Sequence, residues 1–289
     1  MEESVGARPE TVRSGRPRAS RMPSMRTLVM AGVAAGGLIA ALLVIYALGL
    51  AGIYDLRYAE SILPRLVTRG LVSTLSLVAV VIPVGFLLGF AFGWGRTSPR
   101  PVVRGISTGY VEFFRGMPPV VLIFFAFLIT LYLLVGNDRI DATEVAPIVA
   151  VFALAAHSGA YQAEIVRAGI LSVPAGQREA GEAVGLTKGE VMLHVTLPQM
   201  LRISLPALGN EFASVIKDTS LLSIVGILDL MLQGTDLISD VVSIGKTYLV
   251  FVILLEVAAL YFLLTFAVSR VLLGIEKRYR VPGLEAAQL

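Results

Sequence analysis

The chain has 289 residues, 56% of them hydrophobic and 16% charged, against roughly 25% charged in an ordinary soluble domain. Its mean hydropathy is +0.79, its formal net charge is +3, and it contains no cysteine. These values exclude a disordered chain, a nucleic-acid module built on a basic surface and a disulfide-stapled secreted domain, and they leave an all-α polytopic membrane protein.

Residues 1–26 are rich in arginine, proline and serine and read as a basic cytoplasmic tail. The next run, Thr27 to Tyr54, has no charged residue over 28 positions. A signal-peptide core takes about 7 to 15, so this run is expected to stay as an additional N-terminal transmembrane helix. Gly70 to Gly95, Gly116 to Asn137 and Val145 to Ala163 are also free of charge. A helix of about 20 such residues crosses a hydrocarbon core about 30 Å thick. A fifth apolar stretch, Ile203 to Leu228, carries Glu211, Lys217 and Asp218, and a sixth, Thr247 to Ser269, carries only Glu256. Six transmembrane helices are therefore expected. With the N-terminus inside, 18 of the 24 lysines and arginines fall on the inner face, which predicts that both termini are cytoplasmic.

Small residues recur every fourth position at Gly32, Gly36 and Ala40 and at Gly85, Gly89 and Gly93. Such ridges let helix backbones approach closely, and packing within the chain is the expected use. Pro118 and Pro119 fall in the first turn of the third span, where a missing N–H costs little. The only histidines are His157 and His194, so no His/Cys metal cluster or cysteine nucleophile is available. Both histidines are expected to pack rather than to ligate. Gly245-Lys246-Thr247 resembles the end of a phosphate-binding loop, but Asp240 stands where that loop needs its first glycine. Any ATP must then bind to another subunit.

The longest inner connection, Glu164 to Arg202, reads as a helix broken at Gly185, followed by a turn or two ending at Leu197 and Pro198. That shape suits a docking partner, or an amphipathic segment on the lipid surface. In the fifth stretch, Asn210, Ser214 and Lys217 fall at i, i+4, i+7 and Glu211, Ser214 and Asp218 at i, i+3, i+7, so the five are expected to share one broad helical face. Ionisable groups inside a span are functional candidates by default, so the five residues are candidates for a translocation pathway. Lys217 and Asp218 also suit a structural pair near a helix end. Glu256, Gln162 and His157 are weaker candidates.

Glu179-Ala180-Gly181, three residues, Gly185, nine residues, and Val195-Thr196-Leu197-Pro198 resemble the EAA loop (179–198) of ABC importer permeases. Gly181 stands for the second alanine of that pattern and Val195 for its isoleucine. Phe114-Arg115-Gly116-Met117-Pro118, Ala160 through Arg167, and Lys217-Asp218-Thr219-Ser220-Leu221 are similar to the polar amino acid permease branch. The resemblance implies a permease domain over about 66–270, with 271–289 as a cytoplasmic tail. It implies an importer permease for polar amino acids, paired with a second permease subunit in a homo- or heterodimer. It further implies two ABC ATPase subunits that bind ATP and magnesium, and an extracytoplasmic solute-binding protein. Glu179, Ala180, Gly181, Gly185, Val195, Leu197 and Pro198 would form the ATPase-coupling segment. This chain would hold no cofactor and would not itself be an enzyme. The rival reading is a secondary transporter or channel, although the six expected spans show no evident repeat.

Overall fold

A computed structural model describes residues 54–136 and 140–279, with Lys277 and Tyr279 as backbone only. The basic tail, all but the last residue of the expected first span, and residues 280–289 lie outside the described residues. Those described are helical, with no strand among them.

Helix α1, Leu56–Gly95, is 40 residues long. Asp55 caps it by accepting the Tyr58 N–H at 3.1 Å. A π turn at Leu66–Leu71 follows Pro64, whose missing N–H disturbs the regular ladder. Thr74, Val81, Gly85, Gly89 and Gly93 then make its buried line.

Helices α2, Pro101–Gly116, and α3, Pro119–Leu134, meet at a bend of 102°. Met117 is extended there, as a residue before proline prefers, and Pro118 and Pro119 open α3 without N–H groups that need partners. The third apolar run is thus shorter than its composition suggests. Its 16 helical residues reach about 24 Å, less than a full hydrocarbon core. Four described helices are long and apolar enough to cross a membrane, and the bent pair makes a fifth if it counts as one span.

Helix α4, Ala142–Leu171, is capped by Asp141, which accepts the Thr143 N–H at 2.8 Å. Its buried face is built from small residues, Ala146, Ala150, Ala155, Gly159, Ala160 and Ala163. This face receives the glycine line of α1. Helix α5, Ala175–Ala183, ends at Gly185, whose φ of +93° only glycine adopts without strain. The Leu186 N–H reaches back to the Gly181 carbonyl at 3.1 Å and closes the turn.

Helix α6 runs unbroken over Lys188–Val225. The turn expected to stop at Leu197 and Pro198 does not stop. A capping box between Thr187 and Glu190 starts the helix, and a π turn at Val191–Thr196 accommodates Pro198 without ending it. Helix α7, Leu230–Ser243, is short, and α8, Leu249–Tyr279, returns across the molecule. Gly245 at φ +74° and Lys246, whose N–H bonds the Val241 carbonyl at 2.9 Å, form an ordinary helix-ending turn. The Gly-Lys-Thr triplet is therefore turn chemistry. Val81, Ile123, Leu154, Val215 and Leu222 join α1, α3, α4 and α6 in one core, while Ile62, Leu66, Leu237 and Ile253 join α1, α7 and α8 in another.

Candidate functional site

The EAA-like segment projects from the body on α5. Glu179, Ala180, Ala183 and Gly185 are exposed, and Val184 is 79% exposed. Gly181 alone of α5 is buried. A methyl group there would lie 3.0 Å from Val191 Cγ2 and 3.5 Å from Val195 Cγ2, so the glycine lets α5 settle against the π turn of α6. Val195 and Leu197 are half-buried on that turn and Pro198 is exposed. One side of this element is thus fastened to α6, and the other shows a small apolar knob beside a carboxylate.

Where the C-terminal ends of α1 and α2 meet the C-terminal half of α4 lies a charged cluster that sequence reading did not single out. Glu164 bonds the guanidinium groups of Arg96 and Arg167, and Arg115 lies 3.6 Å away. Arg96 also reaches Glu112 at 3.4 Å, and Arg115 sits over the Tyr161 ring at 5.3 Å. Glu164 had marked the start of a connection. It belongs to α4, where three arginines from three helices converge on it.

The five pathway candidates on α6 do not point one way. Successive residues of a helix are rotated by about 100°, so Glu211 and Asp218 stand a quarter-turn from Asn210 and Lys217. Asn210 and Lys217 are exposed, whereas Glu211, Ser214 and Asp218 are half-buried. Glu211 turns to α4 and accepts the Ser158 hydroxyl at 2.9 Å, and Ser158 in turn accepts from Gln162 Nε2 at 2.9 Å. Gln162 is fully buried, and its Oε1 has no partner among the described residues. His157 packs on Tyr161 and its Nδ1 lies 2.9 Å from the Phe114 carbonyl, which ties α4 to α2. His194 is exposed near the start of α6, with Nδ1 3.1 Å from the Glu190 carbonyl.

Lys217 and Ser220 border a cavity of about 550 Å³ that α7 and α8 complete with Met231, Val257, Tyr261, Phe262 and Thr265. Thr265 Oγ1 is buried there without a partner. The Tyr261 hydroxyl donates to Asp229 Oδ2 at 2.8 Å, while Asp229 Oδ1 accepts the Leu232 N–H at 2.7 Å and so caps α7. The Leu230 N–H donates to Thr74 of α1 at 3.0 Å. Asp229 is fully buried, and burial pushes its carboxyl up from the usual range. Just before α1, the Tyr54 hydroxyl donates to Glu256 of α8 at 2.7 Å. No group of three or more His, Cys, Asp or Glu that could hold a metal ion occurs among the described residues.

Over residues 81–281 the chain matches the family of binding-protein-dependent transport system inner membrane components. It is 33% identical over 216 residues to the glutamine transport system permease protein GlnP of Escherichia coli (strain K12), covering 75% of this chain and 94% of that one. With the L-cystine transport system permease protein TcyB of Bacillus subtilis (strain 168) it shares 34% identity over 215 residues, 74% of this chain and 86% of the other. Among solved structures it resembles a chain of an amino acid ABC transporter with histidines. That likeness has a TM-score of 0.66 and 32% identity, and covers 78% of this chain and 98% of the other.

Proposed function

We propose, because the chain belongs to the family of binding-protein-dependent transport system inner membrane components, that it imports polar amino acids and that α5 transmits the work of ATP hydrolysis to its spans. The chain is the permease subunit of an ATP-driven amino acid importer in the bacterial inner membrane. Its relatives are ABC permeases, which sets aside the secondary transporter or channel. The relatives' names point to glutamine, cystine or a similar polar amino acid as substrate.

The permease acts in this reading as a pair, with itself or a similar subunit, on two ATPase subunits that bind ATP and magnesium. A solute-binding protein delivers the amino acid from outside. In this reading 27–54 adds a further membrane-spanning segment, for six in all, and both termini are cytoplasmic. The exposed knob of Ala180, Ala183 and Val184 beside Glu179 is the observation that carries the coupling assignment. A small apolar surface with one carboxylate fits a groove that offers a basic residue, and the positive φ at Gly185 holds the knob out from α6. Closure of the ATPases then moves α5, and with it α6 and α4, so that access alternates. Asn210, Glu211, Ser214, Lys217 and Asp218 serve the translocation pathway in this reading, with Lys217 and the two carboxylates offering both signs of charge to a zwitterionic substrate.

Replacing Gly185 with valine tests the coupling role. The expected result is ATP hydrolysis by the assembled transporter without amino acid uptake in proteoliposomes. Normal uptake by that variant overturns the assignment.

A further inference from the structure

The 16 residues of α2 present three different faces. Ser107 and Val111 are buried against the body, where Tyr110 stacks on Phe92 with ring centroids 3.9 Å apart and donates to the Ala156 carbonyl at 2.7 Å. A second face carries Arg104, Thr108, Glu112 and Arg115. The third carries Val102, Ile106, Gly109 and Phe113, spaced by four, three and four residues and therefore in one line along the helix. Val102 is 70% exposed, Ile106 64% and Phe113 55%, and a Cβ added at Gly105 or Gly109 would meet nothing within 4 Å. A contiguous apolar line of this kind needs a covering.

We propose that α2 is an interfacial helix whose Val102–Ile106–Gly109–Phe113 line is seated in the inner leaflet, with Arg100 and Arg104 on anionic phospholipid headgroups. Three observations select a bilayer surface as the occupant. The 102° bend turns α2 nearly perpendicular to the apolar α3, so that an α3 inserted along the membrane normal, even one too short to cross it alone, lays α2 along the membrane plane. Trp94, the only tryptophan of the chain and 44% exposed, ends α1 beside the start of α2, where an interfacial aromatic belongs. Residues 96–104 hold three arginines and no acid. Arg96 is taken by Glu164, whereas Arg100 and Arg104 make no ion pair among the described residues, Arg104 donating only to the Ser98 carbonyl at 3.4 Å, and such a basic pair complements anionic lipid. The proposal rests on the family assignment to the membrane and is independent of the substrate and of the coupling role of α5.

The absence of cysteine makes the test direct. The full-length chain carrying Ile106→Cys, Phe113→Cys or, on the polar face, Thr108→Cys is labelled with an environment-sensitive fluorophore. Each variant is reconstituted into phosphatidylcholine vesicles with or without phosphatidylglycerol. Acyl-brominated lipids are expected to quench the labels at 106 and 113 severalfold more than the label at 108, whereas aqueous iodide does the reverse. Brominated phosphatidylglycerol should quench more than brominated phosphatidylcholine, and this preference should fall to parity in the Arg100→Gln/Arg104→Gln variant. Quenching of Trp94 in the otherwise unmodified chain repeats the measurement without a label. Iodide quenching at 106 and 113 equal to that at 108 overturns the proposal. So does disulfide formation between copies through Ile106→Cys without bromolipid quenching, which would make the line a seam between two chains. Equal quenching by the two brominated lipids in the unaltered arginine background overturns the headgroup assignment.

Discussion

Along α1, the glycines stand so close to α4 that a methyl group at Gly93 would lie 2.5 Å from the Ala163 carbonyl oxygen, and one at Gly89 would lie 2.6 Å from Gln162 Cβ. Around Gly105, Gly109 and Gly116 of α2, and around Gly176, Gly185 and Gly189 in and beside α5, a methyl group would meet nothing within 4 Å. The same residue type thus marks two kinds of surface. In the membrane interior the chain completes its own packing, helix on helix, because lipid supplies no hydrophobic drive and only close approach holds the backbones together. In α2 and around α5 it leaves glycines with open space around them instead.

Gly93→Val is the most severe way to break this contrast. The contact is with backbone and with Val166, so neither side can yield without moving a helix. Overpacking costs typically about 1 to 3 kcal/mol, and a displaced seam costs more. The expected outcome in detergent is loss of the monodisperse peak or a fall in Tm of 10 °C or so, at about 2–4 °C per kcal/mol for a chain of this size. An unchanged melting curve would show that the seam is looser than described.

A smaller effect is expected from Glu164→Gln. The carboxylate side chain is 27% exposed, so the pairing is neither a fully buried one nor a surface one. Its loss should cost about 1 to 3 kcal/mol, the range for hydrogen bonds to charged groups. High salt should lower the stability of the parent chain toward that of the variant, while a salt-independent difference would argue for packing rather than charge.

The charges show how far sequence reading reaches. Glu164 and the arginines around it are visible as charges near the edges of apolar runs, but their convergence depends on the bend at Met117 and Pro118 and on the crossing of α1 over α4. Those crossings involve residues far apart in the chain, which periodicity does not reveal. The EAA-like spacing was legible because it lies within 20 consecutive residues, and Gly181 read as a mild departure from the pattern. Its contact with Val191 gives a physical reason for a glycine there. Asp229 went unnoticed, since an aspartate after a turn is unremarkable until the Tyr261 hydroxyl is found to point at it.

Asp229, at the start of α7, gives a third test. Asp229→Ala should cost about 1 to 2 kcal/mol through loss of the α7 cap and of the Tyr261 partner. The pH dependence has a definite sign. The folded carboxyl holds its proton above the ordinary value near 3.8, so its contribution to stability is complete below that value and is lost as pH rises through the folded pKa. Asp229→Asn keeps an acceptor and should remove this slope from a Tm-against-pH series. A slope that persists in the asparagine variant assigns it to another group.

Gly109→Ala is the gentlest change and the sharpest for the contrast drawn between α1 and the open elements. In a seam such as that of α1, one methyl group would force helices apart. On an open helix it removes the conformational penalty of glycine, worth up to about 1 kcal/mol relative to alanine. The expected result is a Tm equal to that of the parent or a few degrees higher, with unaltered mass of the purified complex. A drop of several degrees, or a change in the number of copies, would mean that α2 is packed as tightly as α1 and that a second protein surface lies against it. Because Gly105 has the same open surroundings and lies four residues away, Gly105→Ala should behave alike if lipid covers the face. A protein seam would respond to the two positions differently, since neighbouring side chains fill each step of such a seam unequally.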